Sequence, residues 1–243
     1  MPGATQLRIG YNVPVENLFS GLRAALFDLD GTLIETHIDF VLMKQETLSL
    51  LRECGIDTEG LQHLDILSIV EAGRDHLTRT TGVESASSFC QRAFSLLEDI
   101  EVSHCANPVE IPGAAQLLSE LEERGVRVGI VTRNCRTVAN RLVEFAGLQH
   151  GALLTRDDVP RTKPDPAHLW SAIELLGLGP ENIEGASPFL MAGDHWMDVQ
   201  AGRSACMRTI GILLGKPHDS FAPSMPDLLV NELAELLPLV KAA

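Results

Sequence analysis

The 243-residue sequence predicts an α/β fold, a doubly wound parallel sheet with a small helical cap domain. Three observations predict it. Short apolar runs rich in β-branched residues alternate with stretches of helical spacing, the pattern of a parallel sheet covered on both faces. Three of those runs end in acids or a hydroxyl, and ligands bind at the carboxyl ends of the strands in such sheets. Between Glu35 and about Ala106 the alternation gives way to helical spacing alone.

In chain order, residues 1–21 carry Pro2, Gly3, Gly10, Pro14 and Gly21 and show no period, so both wrapping the core and remaining mobile stay open for them. Strands are expected at residues 23–29, 126–132, 151–155, 189–193 and 208–213, with a short sixth at 227–230 before a helix begun by Asn231. Phe40, Met43, Thr47, Leu50 and Leu51, then Leu64, Leu67 and Val70, mark the helices of the inserted segment. Cys135 to Phe145 has helical spacing, the prolines at 164 and 166 open a helix from Ala167 to about Leu176, and Ser220 to Pro226 reads as a loop. The core then comprises residues 1–34 and 107–243, and the cap residues 35–106.

The chemistry-bearing residues sit at these strand ends. Leu26-Phe27-Asp28-Leu29-Asp30-Gly31-Thr32-Leu33 runs an apolar strand into two acids and a glycine turn. Alternation puts Asp28 and Asp30 on one side of the chain, and two close carboxylates imply a shared proton or a divalent metal. A plain capped turn after a core strand is the bland alternative. Val126–Val131 ends in Thr132-Arg133-Asn134 at a helix start, where a hydroxyl and free N–H groups suit an anionic oxygen. Lys163, held before prolines in Thr162-Lys163-Pro164-Asp165-Pro166, offers a fixed point charge. Phe189-Leu190-Met191-Ala192 leads into Gly193-Asp194-His195-Trp196-Met197-Asp198. Its two acids are spaced to share a helix face and repel unless a cation joins them, which favours metal coordination by Asp194.

As a set and in this order, the four segments resemble the haloacid dehalogenase superfamily over about residues 22–34 and 107–240. Asp28-Leu29-Asp30-Gly31-Thr32 matches motif I, Thr132 motif II, Lys163 motif III, and Gly193-Asp194 through Asp198 motif IV. Ile111-Pro112-Gly113 is similar to the usual re-entry into the core, and an insertion directly after motif I is similar to the family's small α-helical caps. The resemblance implies that Asp28 is a nucleophile forming an aspartyl phosphate and that Asp30 is the general acid and then base. It also implies Mg²⁺ held by Asp28, the Asp30 carbonyl and Asp194, with Asp198 steadying that shell or Lys163. Thr132, Arg133, Asn134 and Lys163 are the expected substrate-binding residues, and Arg133 suggests a second anionic group on the substrate. An acid at position 30 points away from the carbon–halogen and phosphonate branches, which do not use one there.

The leading expectation is hydrolysis of a small phosphate monoester, most like the phosphoglycolate phosphatase group. A mutase resembling β-phosphoglucomutase shares both aspartates and the cap position. A catalytically silent binding protein on the same fold is the rival from another class. Lys44, Arg74, His37, His195 and Trp196 have no assigned chemistry, being of types that are usually solvated or structural.

Composition bounds the partners. A net charge of −14 disfavours nucleic acid, whose phosphates demand clustered Lys and Arg, and favours a small phosphorylated metabolite drawn in by local cations. The five cysteines form no CxxC pair, which argues against a disulfide framework or a zinc site. With no run of 18 apolar residues and no basic-then-apolar leader pattern, a cytoplasmic protein without membrane contact is expected.

Overall fold

The protein, as a computed structural model, is described over residues 18–179 and 187–242. Most of the early segment lies outside the described residues. Its last part does not: the Leu18 and Ser20 carbonyls accept hydrogen bonds from Arg208 Nη1 at 2.6 and 2.9 Å.

The elements follow in the order β1 (Ala24–Phe27), β2 (Ile34–Glu35), α1 (Phe40–Glu53), α2 (Ile66–Thr80), α3 (Val83–His104), β3 (Val109–Glu110) and α4 (Ala114–Glu123). Then come β4 (Arg127–Val131), α5 (Arg136–Phe145), β5 (Ala152–Leu154), α6 (Ala167–Leu175), β6 (Phe189–Gly193), α7 (Trp196–Ser204), β7 (Arg208–Ile212), β8 (Leu228–Val230) and α8 (Leu236–Ala242).

One compact unit holds the chain up to Thr36 and again from Pro108, and the other is His37–Asn107. In the first, six parallel strands lie in the order β5-β4-β1-β6-β7-β8. From β1 the chain winds outward through β4 and β5, then restarts at β6 on β1's other side and winds the opposite way through β7 and β8. The winding direction therefore reverses between β1 and β6, the switch point at which such sheets leave a crevice. Register aligns the ends that matter: Phe27 lies opposite both Ile130 and Ala192. The central strands are buried throughout, with Ala24, Ala25, Leu26 and Phe27 at 0% exposure, so their unbroken apolar runs pack on both faces. The β2–β3 ribbon is a separate two-stranded sheet where the chain leaves this unit and returns.

The unit His37–Asn107 is built from α1, α2 and α3, which pack on one another. Asp39 caps α1 by accepting from Leu42 N at 2.8 Å, and Asp65 caps α2 by accepting from Ser68 N at 3.4 Å. Met43, Thr47, Leu50 and Leu51 are buried at helical spacing on α1. Phe40, placed on the same apolar stripe from sequence, is 49% exposed because it occupies the first helical position, at the end of the packed face. Leu64 also falls outside a helix, since the Asp65 cap starts α2 only at Ile66. Arg74 pairs with Glu71 and Asp75 of its own helix, each at 3.0 Å, as a solvated surface residue does.

Two expectations near the end of the chain need correction. The stretch read as a loop from Ser220 overlaps a 3-10 turn over His218–Phe221, closed around the fully buried Phe221. The last helix starts later than Asn231, because Glu235 Oε1 accepts from both Asn231 N and Glu232 N at 2.9 Å and forms a short 3-10 turn before α8. Among the described residues no helix is long and apolar enough to cross a membrane.

Leu26→Ala tests the central strand. Its side chain is fully buried in the cluster that includes Leu169, Ala172 and Ile173 of α6, so truncation should cost about 2–5 kcal/mol, read as a lower urea midpoint for the α/β unit. An unchanged midpoint would mean that the core does not depend on this packing.

Candidate active site

β1 ends at Phe27, and Asp28 N donates to the Ala192 carbonyl of β6 at 3.0 Å, which anchors the first acid at the switch point. The chain then folds tightly. Leu33 N and Ile34 N both donate to the Leu29 carbonyl at 2.9 and 3.0 Å, and Gly31 turns the backbone with φ +79°. A Cβ at Gly31 would sit 2.6 Å from Asp194 Oδ2, so this position has to be glycine for the acid's approach as well as for the turn. Gly193, the last residue of β6, meets the same steric demand, since a Cβ there would fall 2.2 Å from Asp198 Oδ2.

Lys163 is the centre of the cluster. Its Nζ lies 2.7 Å from Asp28 Oδ1 and 2.7 Å from Asp198 Oδ1, with 1% of the side chain exposed. Burial presses this ammonium towards neutrality, but the Asp198 and Asp28 carboxylates outweigh it and hold its pKa above the usual lysine value. Burial also pushes the Asp198 carboxyl upward, against the pull of Lys163. We take the ion pair to be the operative state, because one ammonium contacts two carboxylates and the His195 N–H donates to Asp198 Oδ2 at 3.0 Å.

Asp28, Asp194 and Asp198 each offer an oxygen, and these oxygens lie within 4.8 Å of one another. An all-oxygen carboxylate set is the donor chemistry of a hard divalent cation such as Mg²⁺, so the residues present fit the expected ion. Thr32 Oγ1 steadies Asp194 by donating to Oδ1 at 3.1 Å. The sequence reading put Asp194 and Asp198 on one helix face, and the structure differs. Asp194 precedes α7, His195 is the N-cap, and Asp198 folds back from the first turn in a capping box. His195 therefore acts as a cap, its Nδ1 accepting from Met197 N at 3.3 Å, and burial lowers its pKa.

The carboxylate of Asp30 is not among the three that converge. Its Oδ1 accepts from Thr36 N at 3.2 Å and from Thr36 Oγ1 at 2.6 Å. Its Oδ2 is buried and has no hydrogen-bond partner among the described residues. Burial raises its pKa to about 7, opposed by the Thr36 hydrogen bonds and reinforced by Asp28 and Asp194. The side chain is thus an acid able to hold a proton near neutrality.

Thr132 is buried at the end of β4, where its Oγ1 accepts from Asn134 N at 3.1 Å and keeps its own proton to donate. Asn134 is also buried, and its Nδ2 has no partner among the described residues. Arg133 is partly buried, with Nη1 donating to Met197 Sδ at 3.0 Å.

Three contributors carried no sequence signal. Thr36 holds Asp30. His168, fully buried, accepts the Lys163 backbone N–H on Nδ1 at 3.2 Å. Lys216 Nζ donates to Asp194 Oδ2, and to the Asp194 carbonyl at 3.3 Å. The position of Lys216 depends on a loop, and the partner of His168, which lies on the buried face of α6, depends on tertiary packing, neither of which a local motif encodes.

Residues 25–212 match the haloacid dehalogenase-like hydrolase family. The chain belongs to that family, and it is a hydrolase. It is 28% identical over 231 residues to an N-acetylmuramic acid 6-phosphate phosphatase of Pseudomonas putida, covering 91% of this chain and 97% of the relative. A phosphoglycolate phosphatase of the same organism is 27% identical, with 92% of this chain and 82% of the relative covered. Among solved structures, a hydrolase from Pseudomonas syringae shares the fold with a TM-score of 0.61 at 23% identity, covering 89% of this chain and 96% of the other.

The buried His168 gives a pH test. Burial first, then Lys163 and Arg133, lower its pKa from 6.5 to about 3, while Asp158 pulls the other way. Its neutral form is favoured in the folded state, so the associated stability is full above pH 6.5 and is lost as pH falls towards 3. The unfolded chain takes up the proton first over that window. Unfolding curves at pH 7, 6, 5 and 4 should show wild type losing stability more steeply than His168→Gln, by up to about 1.4 kcal/mol per pH unit. Parallel profiles would contradict a neutral buried imidazole.

Proposed function

We propose that this hydrolase is a Mg²⁺-dependent phosphatase acting on a small phosphate monoester through an aspartyl phosphate on Asp28. The observation that carries the reading is the Lys163 ammonium fixed 2.7 Å from both Asp28 and Asp198. A carboxylate must approach an anionic phosphoryl group in this chemistry, and it can do so only where fixed cations offset the repulsion. The names of the two Pseudomonas relatives support the same class.

In this reading Asp28 attacks phosphorus and the ester oxygen departs with a proton from Asp30, leaving the phosphoryl group on Asp28. Asp30, now ionised, takes a proton from the water that attacks phosphorus, and inorganic phosphate leaves with Asp28 restored. The buried Oδ2 of Asp30, without a hydrogen-bond partner among the described residues, and its fixation by Thr36 suit that alternation between acid and base. Thr132 Oγ1 and Asn134 Nδ2 are donors for the phosphoryl oxygens, and the missing partner of the Asn134 amide supports its part. Arg133 is assigned to a second anionic group of the substrate. Asp28 and Asp194, with the Asp30 carbonyl, would hold Mg²⁺, which when bound supplies positive charge for the transferred group, and Asp198 would steady Lys163. The helical unit His37–Asn107, inserted between β2 and β3, is assigned as the cap that selects substrates.

Phosphate release from N-acetylmuramic acid 6-phosphate, phosphoglycolate, other sugar phosphates and nucleotides tests the proposal. Release should require Mg²⁺, cease in EDTA and vanish in Asp28→Asn with the fold retained, while Asp30→Asn should lower turnover by roughly 10²–10⁴-fold. Turnover that survived in Asp28→Asn or in EDTA would refute this reading. Arg133→Ala should weaken only substrates with a second anionic group, seen as a raised KM against a smaller change in kcat.

A further inference from the structure

Besides Lys163, a second lysine reaches the acidic cluster. β7 ends at Ile212, and the next residues form a tight turn in which Leu214 and Gly215 both have positive φ, +48° and +81°. A leucine in the left-handed region is uncommon, and such strain persists where the surrounding structure imposes it. The turn is held by Leu214 N donating to the Asn231 carbonyl and Lys216 N to the Leu213 carbonyl, each at 2.9 Å. Gly211 of β7 lies opposite Gly193 of β6, so reversing the chain just past β7 returns Lys216 to the residue that follows Gly193, which is Asp194. There Lys216 Nζ donates to Oδ2 and to the Asp194 backbone carbonyl.

The two oxygens of Asp194 are thus held differently. Oδ1 accepts a neutral hydroxyl from Thr32, whereas Oδ2 has an ammonium on it. The two lysines also differ. Lys163 is 1% exposed and locked between two acids, while the Lys216 side chain is 43% exposed and has a single acidic partner among the described residues. A compact ammonium on a flexible stem with access to water can leave an acid that a buried one cannot. Three carboxylates whose oxygens lie within 4.8 Å need positive charge, and one lysine supplies only part of it.

We propose that Lys216 is the exchangeable counter-ion of Asp194, a positioning residue that holds this carboxylate when no divalent cation is bound and competes with that cation for it. The inference rests on the proposed reading of Asp28 and Asp194, with the Asp30 carbonyl, as the cation site. Lys216 then weakens divalent-ion binding while stabilising the metal-free protein, and removing it shifts both properties in opposite senses.

The test is calorimetric titration of MgCl₂ into metal-free full-length protein without any phosphate ester, comparing wild type, Lys216→Met and Lys216→Gln, with thermal unfolding in EDTA and in saturating Mg²⁺. Both variants should bind Mg²⁺ at least about fivefold more tightly than wild type. Both should also melt at a lower temperature than wild type in EDTA and close to it in Mg²⁺. Equal or weaker Mg²⁺ binding in the variants, with wild type binding Mg²⁺ and Asp194→Asn losing it, would overturn the role of Lys216 and leave the site reading intact. Absence of Mg²⁺ binding by wild type would overturn both.

Discussion

The buried contact of one ammonium with two carboxylates is the constraint around which the α/β unit is arranged. Lys163 sits on a loop far along the chain from Asp28, and Asp198 on the first turn of a third segment, yet all three meet at 2.7 Å. An unpaired charge at that depth would cost several kcal/mol, so removing any partner leaves the others in an untenable environment. The sheet order answers this demand. Reversal of winding between β1 and β6 brings the ends of those strands together, and the loops carrying Asp28 and Asp194 share one crevice. Glycines at 31 and 193 then remove the Cβ atoms that would collide with Asp194 and Asp198.

Electrostatics at this crevice runs against the protein as a whole. The chain carries −14, and an anionic ligand would be repelled by its average field. Locally, Lys163 and Lys216 contact the acids, Arg133 donates to the sulfur of Met197, the residue before Asp198, and the buried amide of Asn134 adds a donor dipole. The site is therefore acidic by composition but poised to receive cationic help, a combination that suits acids brought to an anion by positive charge rather than a simple anion trap. The environments of the acids also differ. Asp28 and Asp198 share an ammonium, whereas Asp30 is turned to a threonine and its burial favours the protonated form. Asp30 is thereby the carboxyl of this segment whose surroundings favour a proton, as an acid–base role requires.

Much of this was legible in the sequence where local patterns control structure. Each expected strand exists within a few residues of its expected limits, because an apolar run buried on both faces has few alternatives. The acids and Thr132 were legible through their positions at strand ends, and Lys163 through the prolines that follow it. What failed was geometry that depends on what a side chain meets. Alternation puts Asp28 and Asp30 on one side of the chain, and the Asp28 charge does reach Asp30, but the hydrogen bonds to the Leu29 carbonyl end the extended chain between them and Thr36 holds the Asp30 carboxylate. Helical spacing suggested a shared face for Asp194 and Asp198, but the His195 cap starts the helix after Asp194. Lys216 was invisible because it belongs to no periodic pattern, and His168, on the buried face of α6, reads from spacing as an ordinary helix position. A left-handed turn aims one, and the other is defined by a backbone N–H it accepts inside the core.

The central claim is that Asp28 becomes covalently phosphorylated during turnover. The most direct measurement is acid quenching within the first turnover of the ester hydrolysed fastest, labelled in its phosphoryl group, followed by peptide mapping. The account predicts label on the protein that is released by hydroxylamine, as an acyl phosphate is, and that maps to the peptide containing Asp28. Phosphate produced in that first turnover with no label on the protein, or label on any other residue, would contradict it.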